Sequence, residues 1–252
     1  VHLETHALTL TRNHPDWSGQ PESVDQKHLT GVNGRTPKSP YLGWHIENPY
    51  HQYPQICSAF TMPWKSCSKD EGETGFVNYG DLYNSLPDYF KDLTRNELAF
   101  IEQPLTGPSK RLFNHMVASD KFCSEMREGH YEGFVPIRPV ALPHSITGEY
   151  SIRHHPGMAT GFMNPDISTD VLYELKKIVM DFTINEDNQF WWQWTVGDFL
   201  LVDFWMMCHS VSDFPLGERS MLGCFGYPLD RPAGFVEPFY TWKKTYSEHV
   251  ER

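Results

Sequence analysis

His45 and Glu47 are separated by a single residue in Gly43-Trp44-His45-Ile46-Glu47-Asn48-Pro49-Tyr50. On an extended segment side chains alternate with period two, so both point to one face. An imidazole and a carboxylate placed this way supply part of a two-histidine, one-carboxylate iron(II) site, if a second histidine arrives from elsewhere. His209, closing Val202-Asp203-Phe204-Trp205-Met206-Met207-Cys208-His209, is the candidate. Only a fold that brings distant strands together joins it to His45, and an antiparallel jelly roll does that. Past His209, Arg219 enters an apolar stretch, Ser220-Met221-Leu222-Gly223-Cys224. An arginine there needs an anionic partner, and its planar fork suits a carboxylate. Thr74, opening another predicted strand, could add a hydroxyl donor to the same anion.

The positioning elements are short. Ile56 to Met62 and Thr74 to Tyr79 read as strands flanking the charged turn Lys69-Asp70-Glu71-Gly72. Leu82 to Leu105 reads as mostly helical with a break at Pro87, and Thr94-Arg95-Asn96-Glu97 as a capping box opening a helix. Phe134 to Val140 and Tyr150 to Arg153 read as strands around the turn Ser145-Ile146-Thr147-Gly148. Val171, Leu172, Leu175, Ile178, Val179 and Phe182 fall on one helical face, with Ser168 or Thr169 as the cap. After the turn Val196-Gly197-Asp198, Phe199 to Val202 reads as a buried strand and Met221 to Tyr227 as another. The pattern is mainly β with helical buttresses, around a jelly-roll core of the double-stranded β-helix kind. The whole chain of 252 residues suits one domain, with a polar segment over 1–40 and an aperiodic, mobile insertion or lid over 106–133.

Composition excludes several classes. A formal charge of -11, with no long run of Lys or Arg, disfavours nucleic acid, because phosphate binding needs a basic stripe. No apolar run approaches the ~20 residues that cross a bilayer. The first residues, Val1-His2-Leu3-Glu4-Thr5-His6, do not resemble a signal or transit peptide. The 5 cysteines form no Cys-x-x-Cys pair, so reduced thiols in a cytoplasmic protein are expected rather than disulfides or a zinc site. Oligomeric state is not legible.

Taken together in order, the motifs resemble those of the taurine dioxygenase and clavaminate synthase superfamily of iron(II)/2-oxoglutarate oxygenases. His45-Ile46-Glu47-Asn48-Pro49-Tyr50 resembles the first metal motif of its clavaminate synthase branch. Glu71-Gly72-Glu73-Thr74 resembles the element whose threonine contacts the cosubstrate. Pro143-His144-Ser145-Ile146-Thr147-Gly148 is similar to the family's His-Pro-x-Thr-Gly turn with the first two residues exchanged. Trp194-Thr195-Val196-Gly197-Asp198, Asp203 and His209 resemble its Trp-x-x-Gly-Asp…Asp…His block, and Arg219 matches the arginine that clamps the far carboxylate of 2-oxoglutarate. The stretches from Arg219 to Phe225 and from His45 to Tyr50 resemble the carnitine-biosynthesis hydroxylases more than the taurine dioxygenase-like members.

The resemblance implies iron(II) on His45, Glu47 and His209, 2-oxoglutarate on Arg219 and Thr74, and dioxygen as oxidant. Hydroxylation of a C–H bond is the implied reaction, with desaturation or cyclisation open, and succinate and CO2 as by-products. Halogenases of this kind replace the carboxylate ligand with a small residue, so Glu47 argues against halogenation. Trp44, Asn48 and Tyr50, which flank the ligands, and Arg153 are candidate substrate contacts. Members acting on sulfonates or aryloxyacetates carry a second arginine four residues after the first; that place is Gly223. A neutral or cationic small molecule, such as an amino acid, amine or betaine, is therefore expected. A cupin-type metalloprotein acting without 2-oxoglutarate, and a non-catalytic binding protein on the same fold, are the alternatives.

Overall fold

The computed structural model describes residues 2–4, 44–46, 55–101, 124, 128, 137–154, 160–212, 214 and 218–227. The expected polar segment and the 106–133 lid fall almost wholly outside these. The elements run β1 His2–Glu4, β2 Cys57–Lys65, β3 Thr74–Asn78, α1 Tyr79–Ser85, α2 Asp88–Asn96, β4 Leu98–Ile101, β5 Ile137–Pro139, β6 Ala141–Pro143, β7 Tyr150–Ile152, β8 Thr160–Phe162, α3 Thr169–Ile184, β9 Gln189–Trp192, β10 Phe199–Asp203, β11 Met207–Val211 and β12 Arg219–Tyr227.

Two sheets carry the site. One has the order β1-β12-β2-β10 and the other β11-β3-β9, all neighbours antiparallel. Phe60 and Met62 of β2, Val202 of β10 and Phe76 of β3 share one apolar cluster with Trp194 and Phe204, so the sheets pack face to face. Alternation along β3 and β11 then divides the residues. Phe76 faces this inter-sheet layer, whereas Val77 and Cys208 face a second core that contains Leu82, Phe90, Leu172, Leu175 and Val179 from the helices. The helices thus buttress the outer side of the three-stranded sheet.

Ser168 caps α3, its side chain accepting from the Val171 amide. The turn expected at 145–148 is present, with Gly148 at φ 75. Other expectations need correction. Thr94 does not open a helix: it lies in the last turn of α2, where its hydroxyl donates to the Phe90 carbonyl at 2.7 Å. Nor does the helix continue toward Leu105. Leu98–Ile101 is a strand between β5 and β8, and Ala99 and Phe100 are fully buried there. A short apolar run carries no period that separates helix from strand, and sheet pairing decided it. The strand at 199–203 is also not buried on both faces. It ends the order of its sheet among the described residues, and Phe199 and Leu201 are each 69% exposed while Val202 is buried.

Lys176 on α3 is buried against Leu172, Leu175 and Val179, where it lines a small cavity shared with His154 and Thr160. Loss of hydration pulls its pKa down from 10.5 to about 7. Below pH 7 the ammonium is charged in both folded and unfolded chains, and burial disfavours that charge in the folded one. As pH rises toward 10.5 the folded state releases the proton first, the unfolded chain binds more protons, and stability climbs. The stability of Lys176→Met relative to the parent is therefore expected to shift in the variant's favour, by about 3–5 kcal/mol, as pH falls from 10 to below 7. Thermal unfolding across that range checks it, and a pH-independent difference would contradict it.

Candidate active site

His45 and His209 are brought together by their backbones. They form an antiparallel bridge in which each amide donates to the other's carbonyl at 2.9 Å. The two imidazole centroids lie 4.0 Å apart with planes tilted by 47°. His209 sits opposite Phe76 in the β11–β3 ladder, stacks on its ring at 6.4 Å and meets the edge of Phe204 at 4.6 Å. It is 8% exposed, so the pair lies at the margin of the inter-sheet layer. Two imidazoles presented side by side within an aromatic wall suit a soft-to-borderline divalent metal. Among the described residues no group of three or more His, Cys, Asp or Glu is assembled for a metal. Glu47, the expected third ligand, lies outside the described residues, as do Asn48 and Tyr50.

Arg219 and Thr74 also meet. The Arg219 guanidinium, 2% exposed, donates from Nη2 to Thr74 Oγ1 at 3.4 Å, and its Nε has no hydrogen-bond partner. Phe214 lies under it at 5.2 Å, and a Cβ on Gly72 would come within 3.0 Å of Arg219 Cδ. Gly72 also has φ 65, a left-handed backbone that glycine adopts without strain. No salt bridge among the described residues involves Arg219. Burial lowers its pKa to about 10, so it remains a cation at neutral pH. A buried, charged guanidinium with a spare N–H is a seat for an anion.

Trp194 completes this corner, and its part was not anticipated. Its indole N–H donates to Thr74 Oγ1 at 2.8 Å. With Thr74 oxygen accepting from both Trp194 and Arg219, the remaining hydroxyl proton is available to an incoming acceptor. The tryptophan is set by the turn at Gly197 (φ 94), where the Asp198 carboxylate accepts from the Thr195 amide at 2.8 Å. Trp194 of the Trp-x-x-Gly-Asp block was the signal, although the sequence assigned that tryptophan no part in the site.

Two expected substrate contacts lie elsewhere. Trp44 is 0% exposed and belongs to the helix-side core, edge-on to Trp191 at 5.6 Å. Being adjacent to His45 in an extended segment, it points to the opposite face. Arg153 is buried too. Its Nη1 donates to the Phe204 and Trp205 carbonyls at 2.5 and 3.0 Å, binding a turn rather than facing a pocket.

Comparison with known proteins identifies the family. Residues 4–225 match the model of the taurine catabolism dioxygenase TauD, TfdA family. The chain belongs to the TauD/TfdA family. It is thus a 2-oxoglutarate-dependent dioxygenase of a family that uses iron(II), 2-oxoglutarate and dioxygen on small-molecule substrates. This decides against a cupin-type protein working without the cosubstrate. An (S)-phenoxypropionate/alpha-ketoglutarate-dioxygenase from Sphingobium herbicidovorans is 23% identical over 222 residues, covering 87% of this chain and 71% of the relative. A protein from Burkholderia xenovorans assigned as an alpha-ketoglutarate-dependent taurine dioxygenase superposes with a TM-score of 0.60 at 16% identity, over 94% of this chain and 75% of its own. The structure of AAD-2 with Mn(II) and N-oxalylglycine superposes at 0.56 with 13% identity, over 75% of this chain and 70% of that one. These likenesses show a shared TauD-like fold. No helix among the described residues is long and apolar enough to cross a membrane, and all four described cysteines are free thiols.

Proposed function

We propose that His45, Glu47 and His209 hold iron(II), that Arg219 and Thr74 hold the far carboxylate of 2-oxoglutarate, and that the enzyme hydroxylates a neutral or cationic small molecule in the cytoplasm. The observation that carries this is the reciprocal His45–His209 bridge, set in the sheet whose β3 also supplies Thr74 to the buried Arg219. The two sheets are inferred to close around this layer as a double-stranded β-helix.

Bound iron(II) would supply the redox chemistry by which dioxygen, the oxidant, is reduced, two electrons coming from decarboxylation of 2-oxoglutarate to succinate and CO2 and two from the substrate C–H bond. The chain's own contribution is placement. The neutral imidazoles of His45 and His209 offer nitrogen lone pairs to the metal, with the backbone bridge fixing their spacing. Arg219 neutralises a carboxylate in a water-poor site, Thr74 donates to it, and Trp194 holds the Thr74 hydroxyl in the required orientation. Phe76 and Phe204 pack on His209 and keep bulk water from the metal side.

The substrate class rests on Gly223. It faces Phe60 across the β12–β2 ladder, and a Cβ there would fall 3.1 Å from that ring. The position where sulfonate- and aryloxyacetate-oxidising members hold a second arginine is therefore occupied by an aromatic wall. The Sphingobium relative is named for an acidic substrate, but at 23% identity that preference does not transfer.

Anaerobic addition of iron(II) and then 2-oxoglutarate to metal-free protein is expected to produce a weak visible charge-transfer band that needs both. A substrate screen scored by stimulated succinate formation should favour amines, amino acids or betaines. Preferential turnover of a sulfonate or aryloxy acid would overturn the substrate class, and iron binding without the band would overturn the placement of 2-oxoglutarate.

A further inference from the structure

β10 ends at Asp203 and β11 starts at Met207, so the turn Phe204–Met206 delivers His209 to its place. This turn is fastened from both sides by the hairpin of β6 and β7. His144, just after β6, places Nε2 3.3 Å from Asp203 Oδ2. Its Nδ1 accepts from the Ile146 and Thr147 amides at 3.3 and 3.1 Å, which leaves Nε2 as the protonated nitrogen that donates to the carboxylate. Asp203 Oδ1 in turn accepts from the Trp205 and Met206 amides at 2.9 and 3.3 Å.

Arg153, just after β7, takes the carbonyl side of the same turn. Besides donating to the Phe204 and Trp205 carbonyls, its guanidinium lies over the Trp205 indole at 5.2 Å. It is 1% exposed, and its Nε and Nη2 have no hydrogen-bond partner. Burial of the guanidinium costs several kcal/mol, which the two carbonyls and the charge of Asp203 in the same turn offset only in part. Phe204 connects the turn to a candidate metal ligand, its ring edge abutting the His209 imidazole.

We propose that Arg153 and His144 are positioning residues for the metal site, acting through the 203–206 turn, with Phe204 as the contact that sets the plane of the His209 imidazole. The inference rests on His209 being a metal ligand. The β6–β7 hairpin, which itself contributes no ligand, thereby tunes the metal affinity of the opposite sheet.

Cobalt(II) added to metal-free protein tests this through its visible d–d absorption, read together with the thermal midpoint of the same samples. Arg153→Met is expected to weaken cobalt(II) binding about 10- to 100-fold, the usual loss when an outer partner of a metal ligand is removed, and to shift the d–d bands of the protein that does bind. The thermal midpoint reports whether the fold is kept, since removal of the buried cation and loss of its two carbonyl bonds act in opposite directions. Phe204→Leu, which leaves every hydrogen bond of the turn in place, should reproduce the spectral shift, and the double variant should lose little more than either alone. Should Arg153→Met fail to fold, Phe204→Leu decides by its spectrum. Wild-type affinity and spectrum in Phe204→Leu, or additive losses in the double variant, would overturn the proposal. His209→Ala separates the two levels. Wild-type cobalt(II) binding there would remove His209 from the metal site altogether, whereas loss there with no change in Phe204→Leu would remove only the positioning role.

Discussion

Arg219→Met is expected to raise the 2-oxoglutarate concentration needed for half-maximal succinate formation by about 10²- to 10³-fold, and at the same time to make the protein without cosubstrate harder to melt. The two effects have one origin. Arg219 is buried beside Thr74 with an N–H unused, so before the anion arrives its desolvation is only partly offset. Methionine removes that cost. A gain of each kcal/mol corresponds to ~2–4 °C in a protein of this size. Once a carboxylate is seated, the same guanidinium becomes half of a buried charged pair. Breaking such a pair costs about 3–5 kcal/mol, and ~1.4 kcal/mol is tenfold in affinity. Saturating 2-oxoglutarate should therefore reverse the order of melting temperatures, because ligand stabilises only the protein that binds it. Titration of succinate formation and paired melting curves measure both. An unchanged cosubstrate requirement would place 2-oxoglutarate elsewhere.

His209→Ala should abolish iron binding and reduce succinate formation by more than about 100-fold, exceeding what loss of an outer partner costs. Folding should survive, since the bridge to His45 is made by amides and carbonyls that alanine retains. The readouts are metal content after desalting and succinate yield. A variant that keeps iron and turnover would show that His45 and His209 meet for structural reasons alone.

The pairs that mattered were legible because chemistry restricted them. A histidine with a carboxylate at alternating spacing, a second distant histidine and an arginine entering an apolar strand each demand a partner, and the described residues bring His45 to His209 and Arg219 to Thr74. Where only propensity was available, tertiary context overruled it. Leu98–Ile101 has the composition of either element and became a strand between two others. Thr94 and Glu97 carry the letters of a capping box at the wrong end of a helix, because the core claims Phe90 and Leu93 upstream of them. Trp44 was misplaced although the alternation that put His45 and Glu47 on one face also puts Trp44 on the other. Arg153 read as a substrate contact because its partners are backbone carbonyls of a distant turn, and carbonyls leave no mark in a sequence.

The bridge between His45 and His209 has an evolutionary corollary. Since the backbone alone clips the two positions together, the coordinates of the candidate metal site are inherited independently of the side chains displayed there. A lineage can exchange the letter at either position, trying aspartate, cysteine or a non-ligand, without rebuilding the frame. The side chains displayed at these two positions and the frame that holds them are thereby separable traits.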